Sequence, residues 1–163
     1  MPMGKESIAM SIFPRRILLA TDGSKEAELA ALRAVDLADA TDSELHVGHV
    51  GLVPIFVDSY PGTLGFDRKL YEQIEEQSRE LLRKESWRVK AAGGTVAGTH
   101  LRMGAVPLQI VALAEELGVD LIVMGSRGLG GVRRALMGSV SDSVVRHAHC
   151  PVLVVRPEKE QAA

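Results

Sequence analysis

The sequence predicts a single-domain α/β fold, an open parallel five-stranded sheet with helices on both faces. Three observations lead there. Five short apolar segments alternate with four helical patterns, the order expected of parallel strands joined by right-handed crossovers. Leu121-Ile122-Val123-Met124 is apolar without alternation, as a strand covered on both faces should be. The 163 residues suit one domain with a full core, and no internal repeat, low-complexity tract or linker divides them.

Ile17-Leu18-Leu19-Ala20 is the first strand, stopping at Thr21-Asp22-Gly23-Ser24. Ala27, Ala30, Ala31, Ala34, Val35 and Ala38 then recur at helical spacing, with Ser24 or Asp22 available as the cap. Leu45 to Val50 is the second strand. The connection that follows, residues 54–69, is longer than loops in compact domains usually are. It carries Phe56, Tyr60 and Phe66, which motivates a lid or partner surface there. A helix from Leu70 to Ala92 comes next, with Leu70, Ile74, Leu81, Leu82 and Val89 on one stripe and Gly93-Gly94 as its stop. Glu75 with Arg79 and Glu80 with Lys84 make i, i+4 pairs on its wet side. Thr95 to Arg102 is the third strand, with poor alternation. Pro107 opens and Gly118 closes a short helix carrying Ile110, Leu113, Ala114 and Leu117. Asp120 to Met124 is the fourth strand, Ser139 to His147 the last helix, and Val152 to Val155 the fifth strand. Residues 1–14 read as a frayed leader and 158–163 as a disordered tail.

Composition excludes several classes. A net charge of −2 gives no basic field for nucleic acid or an anionic membrane. No apolar run nears the ~18 residues of a membrane span, and the six-residue patch IAMSIF is too short for a signal-peptide core. Cys150 is the single cysteine, so no internal disulfide exists and a reducing, cytoplasmic setting is expected.

The functional question gathers in MGSRGLGGVRRALMGSVSDS, residues 124–143, with five glycines, three arginines and no acidic residue before Asp142. Glycine weakens regular structure, so the cluster implies a backbone that must approach something closely. Two common phosphate motifs fail there. After Gly128-Leu129-Gly130 the Rossmann fingerprint meets Arg133 where it needs glycine; Walker A meets Gly131 where it needs lysine. What remains is Gly125-x2-Gly128-x9-Gly138-Ser139, running from the end of a buried strand to the start of a helix. A helix N-terminus offers unpaired N–H groups and the positive end of the macrodipole to an anion. Ligands of open parallel sheets bind beyond the carboxyl ends of strands, and Thr21-Asp22-Gly23-Ser24 leaves such an end too.

This G-x2-G-x9-G-[S/T] spacing resembles the nucleotide-binding signature of the universal stress protein family, in its ATP-binding branch. ILLATDGS is similar to that family's first strand and turn, DLIVMGSRG to its fourth strand and HCPVLVV to its last. The resemblance covers about residues 15–157. It implies a Rossmann-like, adenine nucleotide alpha hydrolase-like sheet of strand order 3-2-1-4-5. It also implies a homodimer through the last strand, Val152 to Val155, and a nucleotide-dependent role in stress responses. Carried over position by position, Ala20 and Thr21 would line the entrance, Asp22 would contact the ribose or adenine side, and Val50 would pack on the adenine. Met124, Gly125, Ser126, Arg127, Gly128, Leu129, Gly130 and Gly131 would wrap the ribose and phosphates. Gly138, Ser139, Val140 and Ser141 would hold the phosphate tail. Ala20 stands where the family often has proline, which should loosen the turn slightly.

Plainer readings exist for several residues. Asp22 could serve only as a helix cap, and Arg133 and Arg134 fit a solvated face better than a phosphate contact. Arg127, inside the motif, fits a phosphate contact and a structural role equally. Ser139 could cap the last helix or donate its hydroxyl. His147, His149 and Cys150 straddle a helix end and a strand start with no second ligand cluster, so no metal site is expected. His46 and His49 fall on opposite faces of a regular strand. Fast phosphoryl transfer wants a side-chain-held metal and a group that positions the nucleophile. Neither is evident near the glycines, so no catalytic residue is assigned and ATP hydrolysis, if any, should be slow. Mg²⁺ would ride on the phosphates. The spacing does not choose among ATP, ADP and AMP, and a nucleotide-free interaction module is the remaining alternative.

Overall fold

The computed structural model describes residues 12–53, 56–57, 64–65, 67–128 and 137–158. In chain order the elements are β1 (Arg16–Ala20), α1 (Lys25–Thr41), β2 (Glu44–Leu52), β3 (Phe56–Val57), β4 (Leu64–Gly65), α2 (Arg68–Ala91), β5 (Val96–Gly104), α3 (Val106–Leu117), β6 (Leu121–Gly125), α4 (Ser139–His147) and β7 (Val152–Val155). The five main strands are all parallel, in the order β5-β2-β1-β6-β7. Counted as the five main strands, that is 3-2-1-4-5, as expected. The expected leader and tail, 1–14 and 158–163, fall largely outside the described residues.

Alternation in β1 divides the core. Ile17 and Leu19 face α1 and α2, where Ala30, Ala34, Leu82 and Val89 meet Leu45, Val47 and Val123. Leu18 and Ala20 face α3 and α4, packing with Ile110, Leu113, Ile122, Met124 and Val144. Alanine dominates the buried side of α1, which lets that helix lie close on the sheet. At the stop of α3, Gly118 sits at φ 59°, a left-handed turn that glycine adopts without strain.

Three elements depart from expectation. The buried face of α2 is Ser78, Leu82, Glu85, Ser86 and Val89, whereas Leu70, Ile74 and Leu81 are only half-buried. A hydrophobic stripe could not anticipate this, because the buried polar groups are stabilised by partners elsewhere in space. The Ser86 hydroxyl donates to the Leu82 carbonyl at 2.8 Å, and Glu85 accepts from Thr21. The long connection contains a two-stranded antiparallel hairpin, Phe56 opposite Gly65. Most of the segment expected to form a lid lies outside the described residues. Finally, β5 extends to Gly104, and its register with β2 shifts at Leu45/His46. As the outermost strand with a bulge, it lacks a cleanly alternating burial pattern.

Among the described residues no helix is long and apolar enough to cross a membrane.

Candidate functional site

Because Ala20 pairs with Met124, the carboxyl ends of β1 and β6 lie side by side and their outgoing loops face one another. The first loop is a tight, fully wired turn. The Thr21 N–H donates to the Gly48 carbonyl at 3.0 Å. Asp22 Oδ1 accepts the Ser24 N–H at 2.9 Å, and Ser24 Oγ accepts the Ala27 N–H at 3.2 Å, capping α1. Ser24 is therefore the cap, and Asp22 shapes the turn ahead of it. From α2, the buried Glu85 carboxylate accepts the Thr21 hydroxyl at 3.1 Å and pairs with Arg88 at 2.9 Å. Arg88 also reaches Glu28 of α1 at 2.9 Å. On the other side His49 Nδ1 meets the Thr21 carbonyl at 2.7 Å.

The second loop leaves β6 through glycines whose absent side chains matter. A Cβ on Gly125 would stand 2.8 Å from the Glu26 backbone, so glycine here lets the first turn of α1 close on the strand end. A Cβ on Gly128 would run into the Asp22 carboxylate. The two loops thus meet through Asp22 and Gly128. Arg127 faces Glu26 at 3.7 Å.

Ser126 ties the return of the chain to this loop. Its carbonyl accepts the Gly138 N–H at 2.6 Å and the Ser141 hydroxyl at 2.7 Å, drawing the start of α4 against the end of β6. Gly138, not Ser139, is the N-cap of α4, and it makes no side-chain cap bond. The expectation that Ser139 could cap is corrected: Ser139 is already the first helical residue. With no capping side chain, the first-turn N–H groups keep their positive potential for an external acceptor.

Between the loops lies a cleft of about 720 Å³, within the ~300–1,000 Å³ of small-molecule sites. Ala20, Thr21, Asp22, Val50, Met124, Gly125, Arg127, Gly128, Gly138, Ser139, Val140 and Ser141 line it. Ser126 does not; it is 1% exposed and serves the loop's own hydrogen bonds. Leu129, Gly130, Gly131, Arg133 and Arg134 lie outside the described residues. Sequence reasoning missed the contribution of α2 and of the rest of β2. Ile74, Gln77, Ser78 and Leu81 come from one, and Gly48, His49, Gly51 and Leu52 from the other. The only signal was the apolar Ile74 and Leu81, which read equally well as core. Two residues of α3, Val106 and Ile110, complete the far wall.

The other histidines and the cysteine are engaged separately. His147 Nδ1 bonds the Ser143 carbonyl at 2.8 Å, and His149 faces Glu115 at 3.8 Å. Burial and then the charge of Asp120 push the Cys150 thiol up, away from thiolate chemistry. His46 and His49 do take opposite faces: His46 Nδ1 meets His100 Nε2 at 3.0 Å across β2 and β5. Burial first, then His46 and Arg102, lower the His100 pKa.

Comparison with known proteins agrees on a single family. A sequence model of the universal stress protein family matches residues 14–156. A relative from Staphylococcus haemolyticus, described as a universal stress protein, is 42% identical over 149 residues, 89% of this chain and 86% of its own. Among solved structures, universal stress protein UspA from Lactobacillus plantarum superposes with a TM-score of 0.72 at 28% identity, covering 86% of this chain and 97% of that one. A universal stress protein solved in complex with cAMP gives 0.64 at 28% identity, covering 88% and 98%.

Proposed function

The chain belongs to the universal stress protein family, and from that premise we propose that it binds an adenine nucleotide, ATP foremost, in the cleft between the β1 and β6 loops. One observation carries the reading. The glycine-capped N-terminus of α4 borders the same cleft, about 720 Å³ in volume, as Asp22, Gly125 and Gly128, and apolar residues line the rest of it. The residues present fit the ligand. Uncapped N–H groups of α4 and the Ser139 hydroxyl are donors for phosphate oxygens. Gly128 leaves room that a side chain would take from Asp22, which remains an acceptor for ribose hydroxyls. Val50 and Met124 provide apolar surface for the base. The cAMP complex of a relative supports an adenine nucleotide as the ligand class.

A divalent cation, where present, would be carried by the phosphates and water. Among the described residues, the ionisable side chains lining the cleft are Asp22, His49 and Arg127, a set suited to holding a nucleotide rather than to driving fast phosphoryl transfer. The nucleotide-bound protein would act as a dimeric, cytoplasmic stress regulator. Supporting the dimer, β7 ends the sheet and leaves Leu153 38% exposed beside an outer edge unpaired among the described residues.

Thermal melts of nucleotide-stripped protein test the reading, with ATP, ADP or AMP, each with Mg²⁺ or chelator. A ligand at 100 times its Kd adds about 2.7 kcal/mol, a rise of roughly 5–10 °C for a domain this size. No shift at millimolar concentrations would overturn it.

A further inference from the structure

The histidine pair between β2 and β5 stands apart from the cleft. His46 precedes His49 by three residues, so it lies roughly 10 Å nearer the amino end of β2 and on the opposite face. That is the face which Leu113 of α3 covers at Gly48. The register sets His46 opposite Gly98 and Gly48 opposite His100, so the two rings meet diagonally. The outermost strand, β5, places them at the margin of the sheet, with His100 only partly buried.

Three features distinguish the pair. His46 Nδ1 and His100 Nε2 are 3.0 Å apart. Two nitrogens with that separation, each 2.0–2.1 Å from a common ion, subtend roughly 95° at it, the cis angle of a tetragonal or octahedral centre. Second, the register shift at Leu45/His46 brings a glycine beside both rings. A Cβ on Gly98 would stand 3.0 Å from His46 Nδ1 and 3.0 Å from His100 Nε2, so its absence leaves a hollow equidistant from the two nitrogens. Third, His46 Nε2 is buried without a hydrogen bond among the described residues, and Glu44 Oε2 lies 3.7 Å from it. A carboxylate only accepts, so it favours the proton on Nε2 and leaves Nδ1 a bare acceptor facing His100. A carboxylate behind the imidazole is also how metal-bound histidines are oriented. The nearby cations are paired: Arg16 with Glu44 at 3.0 Å, and Arg102 with Glu116.

We propose that His46 and His100 bind a divalent transition-metal ion over Gly98, with Glu44 orienting His46. Imidazole donors select copper, nickel or zinc over magnesium or calcium, and the near-right angle favours Cu²⁺ and Ni²⁺ over tetrahedral Zn²⁺. Among the described residues no group of three His, Cys, Asp or Glu side chains is placed to hold an ion, so water completes the coordination. On binding, the His100 proton moves from Nε2 to Nδ1, and both facing nitrogens present lone pairs without net proton release. The ion then joins the outer strand to its neighbour.

The test is calorimetric titration of chelator-treated, nucleotide-free protein with Ni²⁺ and with Cu²⁺, together with electron paramagnetic resonance of the Cu²⁺ form. One ion per chain should bind, Cu²⁺ more tightly than Ni²⁺, with hyperfine coupling to two imidazole nitrogens. His46→Asn and His100→Gln should each remove this binding. Gly98→Ala fills the hollow while keeping both rings, and should weaken it about tenfold. Glu44→Gln should also weaken it about tenfold. Paired His147→Asn and His149→Asn substitutions should leave it unchanged. Absence of binding, coupling to fewer than two nitrogens, or binding that survives His46→Asn and His100→Gln overturns the proposal. Loss of binding in the His147 and His149 variant does so too, by placing the ion elsewhere. The wild-type stoichiometry and spectrum need no variant, so a poorly folding substitution leaves the proposal open to refutation.

Discussion

Replacing Glu85 with alanine removes the side-chain hydrogen bond that ties Thr21, in the candidate site's first turn, to α2. Glu85 is 3% exposed and holds the Thr21 hydroxyl at 3.1 Å and Arg88 at 2.9 Å. Truncation strands the Thr21 hydroxyl, itself in a residue only 5% exposed. A buried polar group left without its partner costs about 1–3 kcal/mol. The void left by the missing methylene and carboxyl adds about 1 kcal/mol. Arg88 loses less, because it is half-exposed and keeps Glu28 at 2.9 Å. Removing a buried carboxylate also relieves part of its desolvation penalty, which holds the total to about 2–4 kcal/mol. For a domain of this size that lowers the melting temperature by roughly 5–15 °C. Glu85→Gln keeps the volume and an acceptor for Thr21, weakening only the charge-assisted bond to Arg88, and should cost about 1 kcal/mol. Urea denaturation of both variants is the assay. If Glu85→Gln is as damaging as Glu85→Ala, or if neither moves the midpoint, the wiring through Thr21 is not what holds the turn.

Three further outcomes are expected. Gly128→Val should abolish nucleotide-induced stabilisation by displacing Asp22, while the ligand-free melting temperature stays within about 3 °C of wild type because the loop carries little core; unchanged affinity would refute the contact. His100 titrates below its ordinary 6.5 through burial, His46 and Arg102, with Glu44 near His46 and Glu116 paired to Arg102. Its stabilising contribution is complete above pH 6.5, where the ring is neutral in both states, and is lost as pH falls from there through the lower folded value. His100→Gln should therefore flatten the decline in urea midpoint between neutral and acidic pH, and an unaltered slope would count against the assignment. Leu153→Arg, on the exposed edge strand, should shift sedimentation from dimer to monomer; a persistent dimer would place the interface elsewhere.

Strand identity and order of elements were legible in the sequence because they follow from local periodicity. The unbroken apolar run ending at Met124, Pro107 and Gly118 bracketing a helix, and Ser24 at the head of α1 are signals read within a few residues. The spacing Gly125-x2-Gly128-x9-Gly138 likewise marks where backbone must come close, and those glycines do stand against Glu26, Asp22 and Ser126. The buried side of α2 was not legible. Ser78, Glu85 and Ser86 read as solvent-facing by any hydrophobic scale, yet they are buried because Thr21 and the Leu82 carbonyl satisfy two of them and an open cleft accommodates the third. Nor could the sequence assign the N-cap of α4 between Gly138 and Ser139, or pair His46 with His100 across 54 residues. Hydrophobic patterning records how each segment meets water. A polar group's burial depends on which partner arrives from a distant part of the chain, and only the tertiary structure decides that.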